Sequence, residues 1–280
     1  MNYIEIHQKY KEESISGRYI ALKHIESILN RNNAEIIGTS VLDQPIYKLL
    51  FGTGKIKILM WSQMHGNEST TTKAVFDFVN YLNSNCEESK ALLETFTFCL
   101  IPMLNPDGAA AYTRVNANEV DLNRDAKDLT QPESKVLRTV FEDFKPDYCY
   151  NLHDQRTIFG VGNTGKPATV SFLSPAFNED RNWNDCREKA AAVIVAMNSE
   201  LQKHIPGQIG RFDDSFNINC VGDMFQFLNV PTILFEAGHF PEDYEREITR
   251  KYIFIALLSS IRYLCENEIV RNKIEDYLNI

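Results

Sequence analysis

The sequence predicts an α/β fold, in which a mixed sheet carries helices on both faces and follows an N-terminal helical segment. Strand-like runs alternate with stretches whose apolar residues recur every three or four positions. In addition, the candidate functional residues follow the carboxyl ends of predicted strands, where ligands collect in such sheets. Since 280 residues can form one large α/β unit, we predict a single domain over residues 1–280.

The first part of the chain predicts a helical cap, residues 1–34, that belongs to the same domain. Apolar positions between residues 2 and 30 indicate two helical pieces, with a break near Ser16 and Gly17. Three strand-like runs follow, at residues 35–41, 45–51 and 55–62. The short segments between these runs favour antiparallel pairing.

The pattern then changes to a helical period over residues 69–83, so the tetrapeptide His-Gly-Asn-Glu at 65–68 lies in a strand-to-helix turn. Later in the chain, the periodicity predicts strands at 95–104, 148–152 and 232–235, and helices at 131–144, 185–204 and 243–265. Residues 160–175 contain glycines and prolines and are predicted to form a long loop at the rim of a cleft.

The net charge of −9 excludes two classes of partner. Nucleic acid and anionic membrane surfaces both require a basic footprint, so we expect neither as a partner and favour a small or peptidic substrate. The six cysteines are scattered and are predicted to be reduced core residues. No apolar run with a cleavage site occurs near the N-terminus, and the predicted location is the cytoplasm.

His65, Glu68 and His153 are candidate metal ligands, and Glu236 is a candidate base. Two histidines and one carboxylate are a common ligand set for a catalytic zinc ion, which leaves a fourth position for water. The pair His65 and Glu68 alone is weak evidence for a metal site, because a histidine and a glutamate three residues apart often occur by chance. A buried histidine at the end of a strand, such as His153, can also be an ordinary hydrogen-bonded core residue. The arrangement of all four residues at strand ends favours the metal site.

Two arginines, Arg114 and Arg124, follow the tetrapeptide Asn-Pro-Asp-Gly at 105–108, which reads as a β-turn. They could be solvated surface charges, as most arginines are. They could instead bind a substrate carboxylate and stabilise a developing oxyanion.

The order of these motifs resembles the zinc carboxypeptidase family of carboxypeptidase A-like metallopeptidases. The resemblance rests on six features, in order HGNE at 65–68, NPDG at 105–108, Arg114, DLNR at 121–124, His153 and Glu236. It spans residues 40–263 and implies a mixed, mostly eight-stranded twisted sheet.

The resemblance also implies a role for each matching residue. One Zn²⁺ per chain would be bound by His65, Glu68 and His153. Glu236 would polarise water and pass its proton to the leaving amine, and Arg114 would stabilise the oxyanion. The remaining matches would be Asn123 and Arg124, which hold the terminal carboxylate of the substrate, and Asp121, which orients His65. The implied activity is that of a zinc-dependent metallocarboxypeptidase acting on a peptide or acylated amino acid with a free carboxylate.

The sequence departs from the family at two places. The digestive members have a tyrosine that closes over the substrate, whereas residues 211–216 contain none. Asp125 stands where many relatives have asparagine. This carboxylate could weaken the binding of a substrate carboxylate or contact a substrate amine.

Three other readings compete with the carboxypeptidase reading. The motifs are also similar to those of deacylases of the aspartoacylase and succinylglutamate desuccinylase type, which add a β-rich domain after the catalytic glutamate. Only 44 residues follow Glu236, and they are predicted to be mainly helical. A cytoplasmic amidase for peptidoglycan-derived peptides is a narrower variant. A scaffold without activity would be expected to lack a ligand or the base, and neither is missing.

Overall fold

The computed structural model describes residues 2–266 and 272–280, and its strands form one mixed eight-stranded sheet. In chain order the strands are β1 (Glu35–Thr39), β2 (Pro45–Phe51), β3 (Ile56–Ser62), β4 (Phe96–Ile101), β5 (Tyr148–Asp154), β6 (Val170–Leu173), β7 (Ile209–Arg211) and β8 (Thr232–Ala237). Their order across the sheet is β1-β2-β4-β3-β5-β8-β6-β7.

The centre of the sheet is parallel, because β4, β3, β5 and β8 all run in the same direction. Antiparallel pairs join β1 to β2, β2 to β4, and β6 to β8, while β7 runs parallel to β6. The carboxyl ends of the four central strands therefore meet at one edge of the sheet. Strands buried on both faces read as continuous apolar runs, and β5 is buried along its whole length.

Helices cover both faces of the sheet. In chain order they are α1 (Tyr3–Tyr10), α2 (Leu22–Arg31), α3 (Thr70–Leu82), α4 (Glu87–Thr95), α5 (Pro106–Ala111), α6 (Pro132–Phe144), α7 (Asp185–Leu201), α8 (Val221–Phe227), α9 (Glu247–Glu266) and α10 (Ile274–Leu278). None of the helices in the described ranges is long and apolar enough to cross a membrane.

Alternate residues of β3 show how the two faces are built. Ile58 and Met60 belong to one hydrophobic core, which α3, α7 and α9 complete. Leu59 and Trp61 belong to the other core, which α6 and α8 complete. Because successive side chains of a strand point to opposite faces, this alternation confirms the predicted sheet between two layers of helices.

Two helices, α1 and α2, form the predicted N-terminal helical segment, with the break between them where the sequence placed it. All six predicted helices and all six predicted strands appear close to their expected positions. That residues 1–280 form a single domain remains a prediction. All six cysteines are free thiols, as expected, but only Cys99, Cys149 and Cys186 are buried in the core, whereas Cys86 and Cys220 are partly buried and Cys265 is exposed.

The antiparallel pairing predicted between the second and third strands is wrong, because β4 lies between them. The connection from β2 to β3 passes closely over the start of β4, where a Cβ atom on Gly54 would lie 1.9 Å from the carbonyl carbon of Thr95. Two other expectations are corrected. The segment 160–175 contains β6, and the tetrapeptide at 105–108 begins α5 with Asn105 as its N-cap rather than forming a β-turn.

Candidate metal centre and substrate cavity

His65 and Glu68 lie in the turn between β3 and α3, as the sequence predicts. A close approach to α5 fixes this turn, since a Cβ atom on Gly66 would lie 1.9 Å from the carbonyl carbon of Gly108. The side chain of Gln63 also donates a hydrogen bond to the carbonyl of Gly66, at 2.8 Å. The backbone therefore holds both candidate ligands in place.

His153 and Glu236 are direct neighbours on adjacent parallel strands, because β5 and β8 pair in a register that places one opposite the other. The next residue, Asp154, accepts hydrogen bonds from the first two amides of α3, those of Thr70 and Thr71. This contact joins the end of β5 to the helix that follows His65 and Glu68. Two distant parts of the chain thus meet at one point.

The structure brings His65, Glu68 and His153 into one buried cluster whose potential ligand atoms all lie within 4.8 Å of one another. The Nδ1 atoms of the two histidines are 3.1 Å apart, and each lies within hydrogen-bonding distance of a Glu68 oxygen, at 2.9 Å for His65 and 2.8 Å for His153. Lone pairs that converge in this way repel one another unless a proton or a cation lies among them. This donor set therefore fits a divalent cation, and two imidazoles with a carboxylate are ligands that zinc favours.

The same contacts shift the ionisation of the cluster. Burial opposes the charged form of His65, but the Glu68 carboxylate and the hydrogen bond with Asp121 outweigh it and raise the pKa of His65. For His153 burial prevails and lowers the pKa. Although burial opposes ionisation of Glu68, the two histidines hold its pKa well below the usual range.

Asp121 and Arg114 surround the outer side of the cluster. Asp121 lies 2.9 Å from the Nε2 atom of His65, which assigns the proton to Nε2 and turns the Nδ1 lone pair toward Glu68 and His153. Arg114 donates from Nε to Asp121 at 3.0 Å and from Nη1 to Glu68 at 3.2 Å. Its side chain is partly exposed and lines the cavity described next.

A cavity of about 450 Å³ opens over the cluster. The carboxylate of Glu236 lines it and has no hydrogen bond or ion pair within the described ranges. Burial raises the pKa of Glu236 well above its usual value, and the nearby negative charges of Glu68 and Asp154 add to this effect. Such a carboxyl group has the free acceptor sites that a general base requires.

Asn123 and Arg124 line the same cavity, beyond Arg114. The Oδ1 atom of Asn123 accepts a hydrogen bond from the Val221 amide, which leaves the side-chain NH₂ group available. Arg124 is exposed and donates from Nη1 to the Asn123 carbonyl at 2.6 Å. The eight residues to which the family resemblance assigns a role therefore all line one cavity.

Several lining residues were not singled out from the sequence. Asp223 and Cys220 lie in the wall next to Arg124. Asp223 is an acidic residue in the first turn of α8, a position where acids are common without any function, so the sequence offered no distinguishing signal.

The two departures from the family pattern have clear structural counterparts. Asp125 is buried outside the cavity lining, where its carboxylate accepts hydrogen bonds from Thr130 and Gln131. In the segment that lacks the closing tyrosine, Phe212 lines the cavity and packs edge-on against Phe159, with ring centroids 5.6 Å apart. An aromatic wall without a hydroxyl group therefore stands at this side.

Comparison with known proteins gives matches over part of the chain by sequence and over most of it by fold. The family model described as zinc carboxypeptidase matches residues 22–146. A probable carboxypeptidase 2 of Arthroderma benhamiae is 26% identical over 132 residues, which cover 46% of this chain and 24% of that protein. A gamma-D-glutamyl-L-diamino acid endopeptidase 1 of Lysinibacillus sphaericus is 38% identical over 80 residues, 26% of this chain and 20% of that protein.

Among solved structures, a metallo-carboxypeptidase of Pseudomonas aeruginosa has the same fold, with a TM-score of 0.67 and 18% identity. That match covers 88% of this chain and 69% of the other. The chain spans a quarter or less of the length of the curated relatives cited above.

Proposed function

The chain belongs to the zinc carboxypeptidase family over residues 22–146, and from this premise we propose that it is a zinc metallopeptidase that removes the C-terminal residue of a peptide or peptide-like substrate. The observation that carries the proposal is the carboxylate of Glu236, which has no partner in the part of the chain that the structure describes and lies beside the cluster of His65, Glu68 and His153. We infer that these three residues bind one zinc ion.

When bound, zinc would act as a Lewis acid and lower the pKa of water to about 7. Glu236 accepts the proton of the attacking water on a carboxylate oxygen and later transfers it to the nitrogen of the leaving amine. Its carboxylate has no hydrogen bond or ion pair with the residues that the structure describes, so its oxygens are free to take up and release a proton. Asp121 keeps His65 in the tautomer and orientation that binding requires.

Arg114 lies where it can stabilise negative charge on the carbonyl oxygen that is attacked. Its Nε and Nη1 atoms are held by Asp121 and Glu68, so the position of the guanidinium is fixed before substrate binds. Further along the cavity, the Asn123 amide and the Arg124 guanidinium can together bind the terminal carboxylate of the substrate. This arrangement supports cleavage of the last amide bond rather than an internal one.

The proposal is tested with a peptide in its free-acid and its C-terminally amidated form, together with zinc content by mass spectrometry. We expect one zinc per chain, loss of zinc and activity on chelation, and a strong preference for the free acid. In Glu236→Gln we expect unchanged zinc content and turnover slower by about 100-fold or more, the scale of a lost proton-transfer group. Equal rates for Glu236→Gln and the parent, or equal cleavage of both peptides, would contradict the proposal.

A second candidate is an amidase that releases a diamino acid, and Asp223 favours it. This buried carboxyl group lines the cavity next to Arg124, where it could meet the amine of a substrate side chain. The name of the relative from Lysinibacillus sphaericus, gamma-D-glutamyl-L-diamino acid endopeptidase 1, includes a diamino acid. A panel of free peptides, diamino-acid peptides and N-acyl amino acids separates this candidate and the deacylase from the first proposal. Cytoplasmic location remains a prediction.

A further inference from the structure

A second cavity, of about 290 Å³, lies beside the metal centre and meets the first at Glu68. The two also share the segment Asp154 to Arg156, whereas Asn123 and Arg124 line only the first cavity. A substrate held at Arg124 with its last amide bond at the metal centre therefore directs its preceding residues toward the second cavity. The volume is at the lower end for ligand pockets and suits one side chain.

Cationic groups dominate the wall of the second cavity, although the chain as a whole carries a net charge of −9. Arg18 lies over the ring of Tyr244, 4.8 Å from its centroid, and has no ion pair with any described residue. Arg156 is exposed, and within the described ranges it makes neither a hydrogen bond nor an ion pair. Both guanidinium groups are thus free to bind an anion.

A third arginine, Arg246, contributes a buried positive charge. Its side chain is almost fully buried, and its terminal nitrogens donate to the carbonyls of Ala237 and Gln155. Its Nε atom is enclosed by protein and has no hydrogen-bond partner among the described residues. Arg246 lines the second cavity, so its guanidinium adds a fixed positive charge to the wall.

The acidic groups in the lining are already engaged. Glu68 contacts both histidines of the metal cluster, and Asp154 accepts from the amides of Thr70 and Thr71. Asp154 also lies 3.5 Å from Arg246. The two free arginines therefore leave an excess of positive charge that no carboxylate in the lining offsets.

The segment that carries Arg18 is held in place before any ligand arrives. The hydroxyl of Ser69 donates to the Arg18 carbonyl at 2.6 Å, and Gln63 donates to the carbonyl of Ile20 at 2.7 Å. Next to Arg18, Tyr19 packs on Tyr112 with ring centroids 4.6 Å apart. Because the wall is preorganised, a ligand loses less of its binding energy to ordering.

We propose that the second cavity is a subsite for a carboxylate on the acyl side of the scissile amide, so that the preferred substrates carry an acidic residue immediately before the bond that is cut. This inference rests on the proposed function for the direction of the substrate. Arg18 and Arg156 bind the carboxylate, and Arg246, which also lines the cavity, adds a third positive charge.

The test uses two peptides that differ only in having Glu or Gln before the final residue. For the parent protein we expect kcat/KM to favour the Glu peptide by about tenfold, the scale of a charge-assisted hydrogen bond. In the double variant Arg18→Gln, Arg156→Gln this ratio should fall to near one. Lys23→Gln is the matched control, since it removes one charge from the same N-terminal segment outside both cavities, and it should keep the ratio.

Binding of both peptides to Glu236→Gln by calorimetry separates the two proposals. Tighter binding of the Glu peptide, if it is lost when Arg18→Gln and Arg156→Gln are added, supports the subsite. This holds even if the parent protein hydrolyses neither peptide. Failure to hydrolyse either peptide would overturn only the proposed function. Hydrolysis of both peptides at equal rates and with equal affinity would overturn the subsite and leave the proposed function standing. If the double variant kept the preference of the parent protein for the Glu peptide, that result would also overturn the subsite.

Discussion

Asp223 shows how the surroundings of a single residue can set its chemistry. Burial raises the pKa of this carboxyl group to about 7, even though the Asn217 amide donates to it and the charges of Arg124 and Arg187 act in the opposite direction. Asp223 is therefore mostly neutral below pH 7 and mostly charged above it. Only the charged form attracts a substrate amine strongly.

We expect the preference for a basic C-terminal residue to increase with pH if Asp223 contacts the substrate side chain. The ratio of kcat/KM for peptides ending in Lys and in Met should rise several-fold as pH increases from about 6 to about 8. Taking a ratio cancels the pH dependence of the metal centre. In Asp223→Asn this ratio should stay low and should not change with pH. If the ratio changed with pH in the same way in the parent and in Asp223→Asn, a contact between Asp223 and the substrate side chain would be excluded.

The residues found from the sequence are those whose spacing and position at strand ends carry a signal. His65, Glu68, His153 and Glu236 each follow a recognisable apolar run, and the fold brings them together. Arg18 carries no such signal, because it lies in the N-terminal segment and only the packing of that segment against the turn after β3 brings it to the site. The same holds for any wall residue supplied by a distant loop.

At the scale of elements, the turn between β3 and α3 depends on a residue without a side chain. A Cβ atom on Gly66 would collide with the backbone of α5, at 1.9 Å from the Gly108 carbon and 2.2 Å from the Ala109 nitrogen. Neither atom can move alone, since the Asn105 side chain holds α5 to the same turn through the Met64 carbonyl. The distance between the two segments must therefore increase.

We predict that Gly66→Ala lowers the free energy of unfolding by at least about 2 kcal/mol, because the overlap is with backbone atoms and can be removed only by moving two packed segments apart. The displacement should also weaken zinc binding. Urea unfolding and zinc content after dialysis measure the two effects. Gly160→Ala is a suitable control, because the nearest atom to its Cβ would be 3.8 Å away. Similar stability and zinc content in both variants would refute this account of the turn.

Elements with a clear period were predictable, whereas those set by tertiary contacts were not. The apolar run of β3 and the helical period of α3 are visible in the sequence. In contrast, β6 has only four residues after a glycine-containing stretch, and it becomes a strand by pairing with β8. The insertion of β4 between β2 and β3 depends on contacts between residues far apart in the chain, which local patterns do not encode.

At the scale of the molecule, a buried polar network joins the helices on one face of the sheet. Arg250 on α9 is fully buried and donates to both oxygens of Asp77 on α3, at 2.8 and 2.6 Å. Glu247 accepts from Arg250 at 3.0 Å and from Lys73 at 2.6 Å. Burial would raise the pKa of Glu247, but the hydrogen bond and charge of Lys73 and the charge of Arg250 lower it to about 2.

A carboxylate whose pKa is lower in the folded state stabilises that state above its unfolded pKa, near 4.5, and this stabilisation is lost as pH falls toward 2. We expect Glu247→Gln to be less stable than the parent by about 2 kcal/mol at pH 7, because Arg250 and Lys73 lose a charged partner. The difference should shrink between pH 4.5 and pH 2. Chemical denaturation across this range tests it, and a difference independent of pH would rule out the linkage.

The three candidate zinc ligands come from two chain segments more than 80 residues apart, which meet when β5 pairs with β3 at the centre of the sheet. A partly folded chain that lacks the β3–β5 pairing therefore cannot bind the ion with all three. Since a ligand that binds only the native state shifts the folding equilibrium by mass action, buffered free zinc should raise the melting temperature of the whole protein. When zinc is depleted in a cell, the protein would then lose this stabilisation and be degraded faster by proteases, in addition to losing its activity.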